Sequence, residues 1–165
     1  MRRVLGAVVA AWCLILAVTS PGASARPSGA NAVTIAAAGD IACKNPPGNN
    51  RHACRYDDVS NVVADGDYSA WLPLGDNQYE YGRYVDYVEN YDAYFGRFLR
   101  DTYPVPGNHE YGTPHAAGYF RYFGRIAHGP DGWYSFDLVG WHVIALNSAI
   151  CNPYYGAPCG PGTPE

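Results

Sequence analysis

The sequence predicts an α/β fold in which a short parallel sheet is covered by helices. Two observations carry that prediction. Apolar runs and helical spacing alternate along residues 33–105 as strand, helix, strand, helix, strand, which is the pattern of parallel strands joined by helical crossovers. Each of the three apolar runs also ends in glycine followed by a polar residue, at Gly39-Asp40, Gly75-Asp76 and Gly107-Asn108.

The elements follow in order. Residues 33–38 (VTIAAA) form a short apolar run, consistent with a buried strand. A loop bracketed by Cys43 and Cys54 comes next. Residues 56–64 (YDDVSNVVA) have helical spacing, with Val59, Val62 and Val63 on one face and Asp57 or Asp58 near the start. Residues 70–74 read as a second strand. A longer helix is predicted over 82–100, where Tyr84, Tyr87, Val88, Tyr91, Phe95 and Phe98 follow i, i+3, i+4, i+7 spacing. Residues 102–105 form the third strand. After Gly118 the pattern changes, and residues 132–138 and 141–147 flank Val139-Gly140 as a predicted hairpin. The segment 151–165 reads as loop.

The start of the chain reads as an export signal. Arg2 and Arg3 precede an uncharged apolar run over 4–18, and Ala23-Ser24-Ala25 is a small-x-small cleavage site. The expected organisation is a signal peptide over 1–25, a flexible leader over 26–32 and one domain over 33–165. The apolar run is shorter than the roughly 20 residues of a comfortable membrane span; an uncleaved anchor is the alternative. No later stretch is apolar enough to cross a bilayer, so the mature protein is expected to be exported, without stable membrane insertion.

Loss of Arg2 and Arg3 would leave nine basic against fifteen acidic side chains, a net charge of about −6, and Lys44 is the only lysine. Such a surface repels polyanions and disfavours nucleic acid as a partner. Four cysteines would remain, Cys43, Cys54, Cys151 and Cys159. An even number behind a signal peptide favours disulfides, and three pairings are open. Proximity favours Cys43 with Cys54 and Cys151 with Cys159. Their spacings fit no zinc-ribbon pattern.

Chemistry concentrates at the three strand ends. In open α/β sheets ligands bind beyond the carboxyl ends of the strands, and glycine there lets a metal or phosphate approach the backbone. Asp40, Asp76 and Asn108 would converge on one edge as hard oxygen donors suited to divalent or trivalent cations. Asp and Asn after Gly are also ordinary turn residues. Three such endings on successive strands are harder to explain as turns alone.

Gly39-Asp40-Ile41-Ala42, Gly75-Asp76-Asn77-Gln78-Tyr79 and Gly107-Asn108-His109-Glu110 resemble the first three motifs of the calcineurin-like metallophosphoesterases. Tyr79 makes the second motif most similar to the purple-acid-phosphatase branch, and residues 132–136 and Asn147-Ser148 resemble that family's middle section. The resemblance implies an αββα sandwich with a partial mixed sheet flanked by helices, and a binuclear centre of Fe, Mn or Zn. It implies that Asp40 binds the first metal, Asp76 bridges both, Asn108 binds the second, and Tyr79 binds the first as a phenolate if that metal is ferric. His109 would donate a hydrogen bond or proton to the leaving oxygen, and Glu110 would orient His109 from behind. The implied reaction is hydrolysis of a small phosphoester by a hydroxide bridging cations roughly 3.5–4 Å apart.

The sequence departs from the family in two ways. Ala42 stands where the first motif usually has glycine or histidine, so Tyr79 carries more weight. The later histidine ligands of the family have no counterpart before Glu165. The chain is therefore expected to be the N-terminal portion of a longer enzyme, truncated before those ligands, with an apolar sheet face exposed. The alternative is an inactive fragment or binding module that keeps half of the metal site. A carbohydrate-binding domain, suggested by the four tryptophans and fifteen tyrosines, leaves the three strand-end motifs unexplained. His52, His115 and His128 match no motif, and His142 is expected on a sheet face.

Overall fold

The computed structural model describes residues 33–44 and 54–151. The expected signal peptide, leader and tail from 152 onward, with Cys159 and His52, lie outside the described residues. Within them the chain is mixed α/β, with helices and two small sheets.

Strands β1 (Ile35–Ala38) and β2 (Ala70–Pro73) pair in parallel, with Ile35 opposite Ala70 and Ala38 opposite Pro73. Residues 102–105 run along the other side of β2, where the Tyr103 and Val105 amides donate to the carbonyls of Trp71 and Pro73 at 2.9 and 3.0 Å. The expected third strand is present there as two isolated parallel bridges, Trp71 to Thr102 and Leu74 to Val105, and not as a ladder. Pro73 is the physical reason: it has no N–H to return to the neighbouring chain. The pairing of β1 with β2 continues past the strand ends. Amides of Asp40, Ile41 and Ala42 donate to the carbonyls of Gly75, Asp76 and Asn77 at 3.2, 3.0 and 3.0 Å.

Helices cover one face of these strands. Cys43 and Cys54 lie at disulfide distance, Cα to Cα 6.0 Å, and close the loop before α1 (Tyr56–Asp65). Asp57 and Asp58 occupy the first turn of α1, where carboxylates complement the helix dipole. Val63 is buried and Val59 half-buried, whereas Val62, expected on the same face, is 63% exposed. The second helical stretch starts at α2 (Tyr84–Asp86), passes through a π-helical turn (Tyr87–Tyr91) into α3 (Asp92–Phe95), and ends as 3-10 helix (Gly96–Asp101). A regular helix over 82–100 is thus corrected at its start and in its middle. Asn90 explains the π turn locally: its side-chain amide takes the Asp86 carbonyl at 3.0 Å, and the Asp92 amide bonds back to Tyr87. The extra residue leaves Tyr87, Tyr91 and Phe95 fully buried but turns Val88 outward.

The core is aromatic. Trp71 of β2 stacks on Phe95 with centroids 5.6 Å apart, and its indole N–H faces the Tyr91 hydroxyl at 3.4 Å. Helix α4 (Ala117–Phe123), which periodicity did not predict, adds Tyr119 and Phe123 to the same cluster. Arg97 and Ser60 join α1 to the second helical stretch, Nη2 to Oγ 2.7 Å and Oγ to the Tyr94 carbonyl 2.8 Å.

The hairpin forms as expected from β3 (Tyr134–Leu138) and β4 (Trp141–Ala145), with Leu138 opposite Trp141. Val139 and Gly140 both have positive φ, 43° and 85°, as a two-residue primed turn requires. Phe136 of β3 stacks on Tyr103 at 3.8 Å, which sets the hairpin beside the sheet face that carries no helix. Leu72, Leu74, Tyr103, Val105, Phe136 and Ile144 line an apolar groove there, and Leu74 and Ile144 are 56% and 66% exposed.

Gly118 fixes the approach of α4 to the segment before α2. A Cβ at 118 would sit 2.0 Å from the Gly82 carbonyl oxygen and 2.6 Å from the Tyr84 nitrogen. Gly118→Ala is expected to lower the thermal midpoint by about 5–10 °C. An unchanged midpoint for Gly118→Ala, measured by circular dichroism, would remove this contact as the constraint.

Candidate functional site

Three turns at the carboxyl ends of the parallel segments form the site. Each leaves its strand sharply. Asp40 and Asp76 both have positive φ, 54° and 48°, and Gly75 has φ 98°. Left-handed backbone is uncommon for any residue but glycine, and Asp is among those that tolerate it. Here it turns both carboxylates toward the same space. Asp40, Gly75, Asp76, Gly107, Asn108 and Ser148 are among the residues that line one open cleft of about 390 Å³.

Tyr79 draws the two carboxylates together. Its hydroxyl donates to Asp40 Oδ1 in a short contact and lies 3.1 Å from Asp76 Oδ2. Three oxygens from two turns thus meet at one point. Burial, with the Asp40 hydrogen bond and the nearby Asp76 and Asp40 charges adding to it, pushes the Tyr79 phenol far above its ordinary range. In the protein as described it is a hydrogen-bond donor to the carboxylates.

His109 adjoins this cluster. Its backbone N–H donates to Asp76 Oδ1 at 3.0 Å, and its ring packs edge-on against Tyr79 with centroids 4.4 Å apart. Its Nδ1 lies 2.7 Å from the Glu80 carbonyl oxygen. A carbonyl only accepts, so Nδ1 carries the hydrogen, and Nε2 is the nitrogen left for a ligand. Asn108 lines the cleft beside Asp76.

Glu110 does something other than what its position in the sequence suggested. It makes no contact with the His109 ring. Its carboxylate is fully buried and faces inward, where Oε1 accepts from the amides of Asn77 and Gln78 at 2.9 and 3.2 Å and from the Tyr87 hydroxyl at 2.9 Å. Oε2 accepts from the Gly107 amide at 2.6 Å. The expected role in orienting His109 is corrected: that role falls to the Glu80 carbonyl. Burial raises the Glu110 pKa, while the hydrogen bonds from Gly107, Gln78 and Tyr87 oppose the rise. All four partners are donors, so the site accommodates the ionised form.

Sequence reasoning missed Tyr87 and the Glu80 carbonyl. Tyr87 counted as one more apolar position on a helix face, yet its hydroxyl reaches the turn network. A tyrosine where phenylalanine would pack as well was the available signal, because a buried hydroxyl needs a partner. No signal in the sequence marks a backbone carbonyl as the partner of a histidine.

The remaining candidates lie elsewhere. His142 pairs across the hairpin with Asp137 at 2.7 Å on the exposed sheet face. His128 stacks on Tyr134 at 4.0 Å, and His115 is exposed in a left-handed turn. Among the described residues no group of three or more His, Cys, Asp or Glu side chains is gathered as for a metal ion; the oxygens that meet are two carboxylates and a phenol. No family model matches the chain, and neither a curated protein nor a solved structure matches it.

Gly107 packs closely against the Asp76 turn. A Cβ there would lie 2.2 Å from Asp76 Oδ1 and 2.3 Å from the Asp76 nitrogen. Gly107→Ala is expected to cost about 1–3 kcal/mol and to move the amide resonances of Asp76 and His109. Unmoved resonances in a heteronuclear NMR spectrum would show that the approach of the two turns does not position Asp76.

Proposed function

We propose that this protein is an exported metal-dependent phosphoesterase of the calcineurin-like kind, acting on small phosphoesters. The observation that carries the reading is the meeting of Asp40, Asp76 and the Tyr79 oxygen at one point, with Asn108 and His109 beside it. The αββα sandwich is the fold that accompanies this reading. The acidic surface inferred for the mature chain supports a small substrate over a polyanion.

The donor set suits hard cations. Carboxylate, phenolate and amide oxygens are the ligands such ions favour, and Gly107, where a Cβ would lie 2.2 Å from Asp76 Oδ1, lets the Asn108 turn come close to the Asp76 carboxylate. Asp40, Asp76, Tyr79 and Asn108 are the residues that would hold them. Bound cations would supply Lewis acidity at the phosphoryl oxygens and an activated water.

The chain's own residues account for the rest. Tyr79 would give up its hydroxyl proton to serve as a phenolate ligand, so metal uptake through Tyr79 would release a proton. His109, held through Nδ1 by the Glu80 carbonyl, would in its imidazolium form give the Nε2 proton to the leaving alkoxide, so that an alcohol departs and the neutral Nδ1–H ring remains. Ser148 brings a hydroxyl to the wall of the same cleft. Its turn is pinned by Asn147, whose side chain bonds the Tyr111 hydroxyl at 2.8 Å and the Ile150 amide at 3.2 Å.

A second reading is a chain that binds metal weakly and has no activity. It is favoured by the missing third His, Cys, Asp or Glu in the cluster among the described residues. Metal content separates the two. After loading with manganese or iron, elemental analysis is expected to find about one to two ions per folded chain, and most of this should vanish in Asp76→Asn. A folded, metal-free chain would favour the second reading.

His109→Ala is expected to keep the metal and to slow hydrolysis of p-nitrophenyl phosphate by about 10²–10⁴-fold. A rate equal to that of the unaltered protein would remove His109 from the reaction.

A further inference from the structure

Glu110 is a buried charged group that the proposed reaction does not use. Its surroundings say what it does. The first and second turns are joined by backbone hydrogen bonds from Asp40, Ile41 and Ala42. Between the second turn, 75–79, and the third, 106–110, no backbone–backbone hydrogen bond is found among the described residues. Side chains span that gap instead. Asp76 Oδ1 receives the His109 amide at 3.0 Å and Asn77 Nδ2 reaches the Val105 carbonyl at 2.9 Å. Glu110 contributes two bonds across it, to the amides that follow Asp76, and one within its own turn, to the amide that precedes Asn108.

We infer that Glu110 is a positioning residue: its carboxylate is the staple that sets the distance between the Asp76 and Asn108 turns before any cation binds. The inference rests on the cation-binding reading above and adds to it which group preorganises the ligands. It has a specific chemical consequence. Both Glu110 oxygens face only donors, so even glutamine, of nearly the same shape, fails: its amide NH₂ must meet either the Gly107 amide or the donors on the other side. Tyr87 contributes a fourth donor from the helical side and bonds no backbone amide of either turn, only the Glu110 carboxylate, so it separates packing from positioning.

The test compares manganese affinity by titration calorimetry in the full chain, Glu110→Gln and Tyr87→Phe. Glu110→Gln is expected to bind manganese about 10–100-fold more weakly at temperatures where it is folded, while Tyr87→Phe loses thermal stability but changes affinity far less. A folded Glu110→Gln protein that binds as tightly as the unaltered one overturns the inference and leaves the cation reading standing. An unaltered protein that binds no manganese sinks both. Where Glu110→Gln does not fold, amide hydrogen exchange on the unaltered metal-free protein decides. Protected Asn77, Gln78 and Gly107 amides support the staple. Amides that become protected only when manganese is added overturn it.

Discussion

Two turns that carry polar side chains must be held together where the backbone does not do it. Pro73 interrupts the pairing of β2 with residues 102–105, and Pro106 brings no N–H to the third turn. The Glu110 carboxylate spans that gap with bonds to two backbone amides of the second turn and one of its own, and it is shielded from water while doing so. A buried charge is costly unless it is fully hydrogen-bonded. Here four donors converge on it, and the cost is offset only while both turns stay in place. Charge burial and turn geometry therefore depend on each other.

The aromatic core supports that arrangement with hydroxyl groups as well as rings. Tyr87 packs against Tyr91, Tyr122 and Phe123 and also donates to Glu110. Tyr119 and Tyr134 both donate to the Pro104 carbonyl at 3.0 Å, which anchors the strand that leads to Asn108. Tyrosine at these positions links packing to polar satisfaction, since a buried hydroxyl without a partner costs about 1–3 kcal/mol. A phenylalanine core would fill the space but would leave the Pro104 carbonyl without those donors.

Much of the strand and helix order was legible because it is local. The runs before Gly39, Gly75 and Gly107 are short and apolar, and the 3.6-residue spacing over the second helical stretch is plain. Asp40, Asp76, Asn108 and Tyr79 could be nominated because glycine followed by a polar residue at a strand end has few geometric outcomes. The failures have physical causes too. The π turn depends on one Asn90 side chain competing for a carbonyl, a choice that periodicity does not register. Helix α4 starts from left-handed backbone at His115 and Ala116 and carries no side-chain cap, so no start signal announced it. Val62 and Val88 satisfied the apolar pattern and still point outward.

The sequence by itself determined the alternation of elements, the three polar strand ends and the residue types available as oxygen donors. Those properties follow from spacing and side-chain chemistry within a few residues of one another. Only the tertiary structure decided that the Tyr79 hydroxyl meets both Asp40 and Asp76, that the Glu80 carbonyl holds His109, and that Glu110 turns away from the cleft. Each of those contacts depends on which neighbour reaches a shared point first, across 29 to 39 residues of chain for the Tyr79–Asp40 and His109–Glu80 pairs. Local pattern carries no information about that competition. Burial and the need to satisfy every donor settle it.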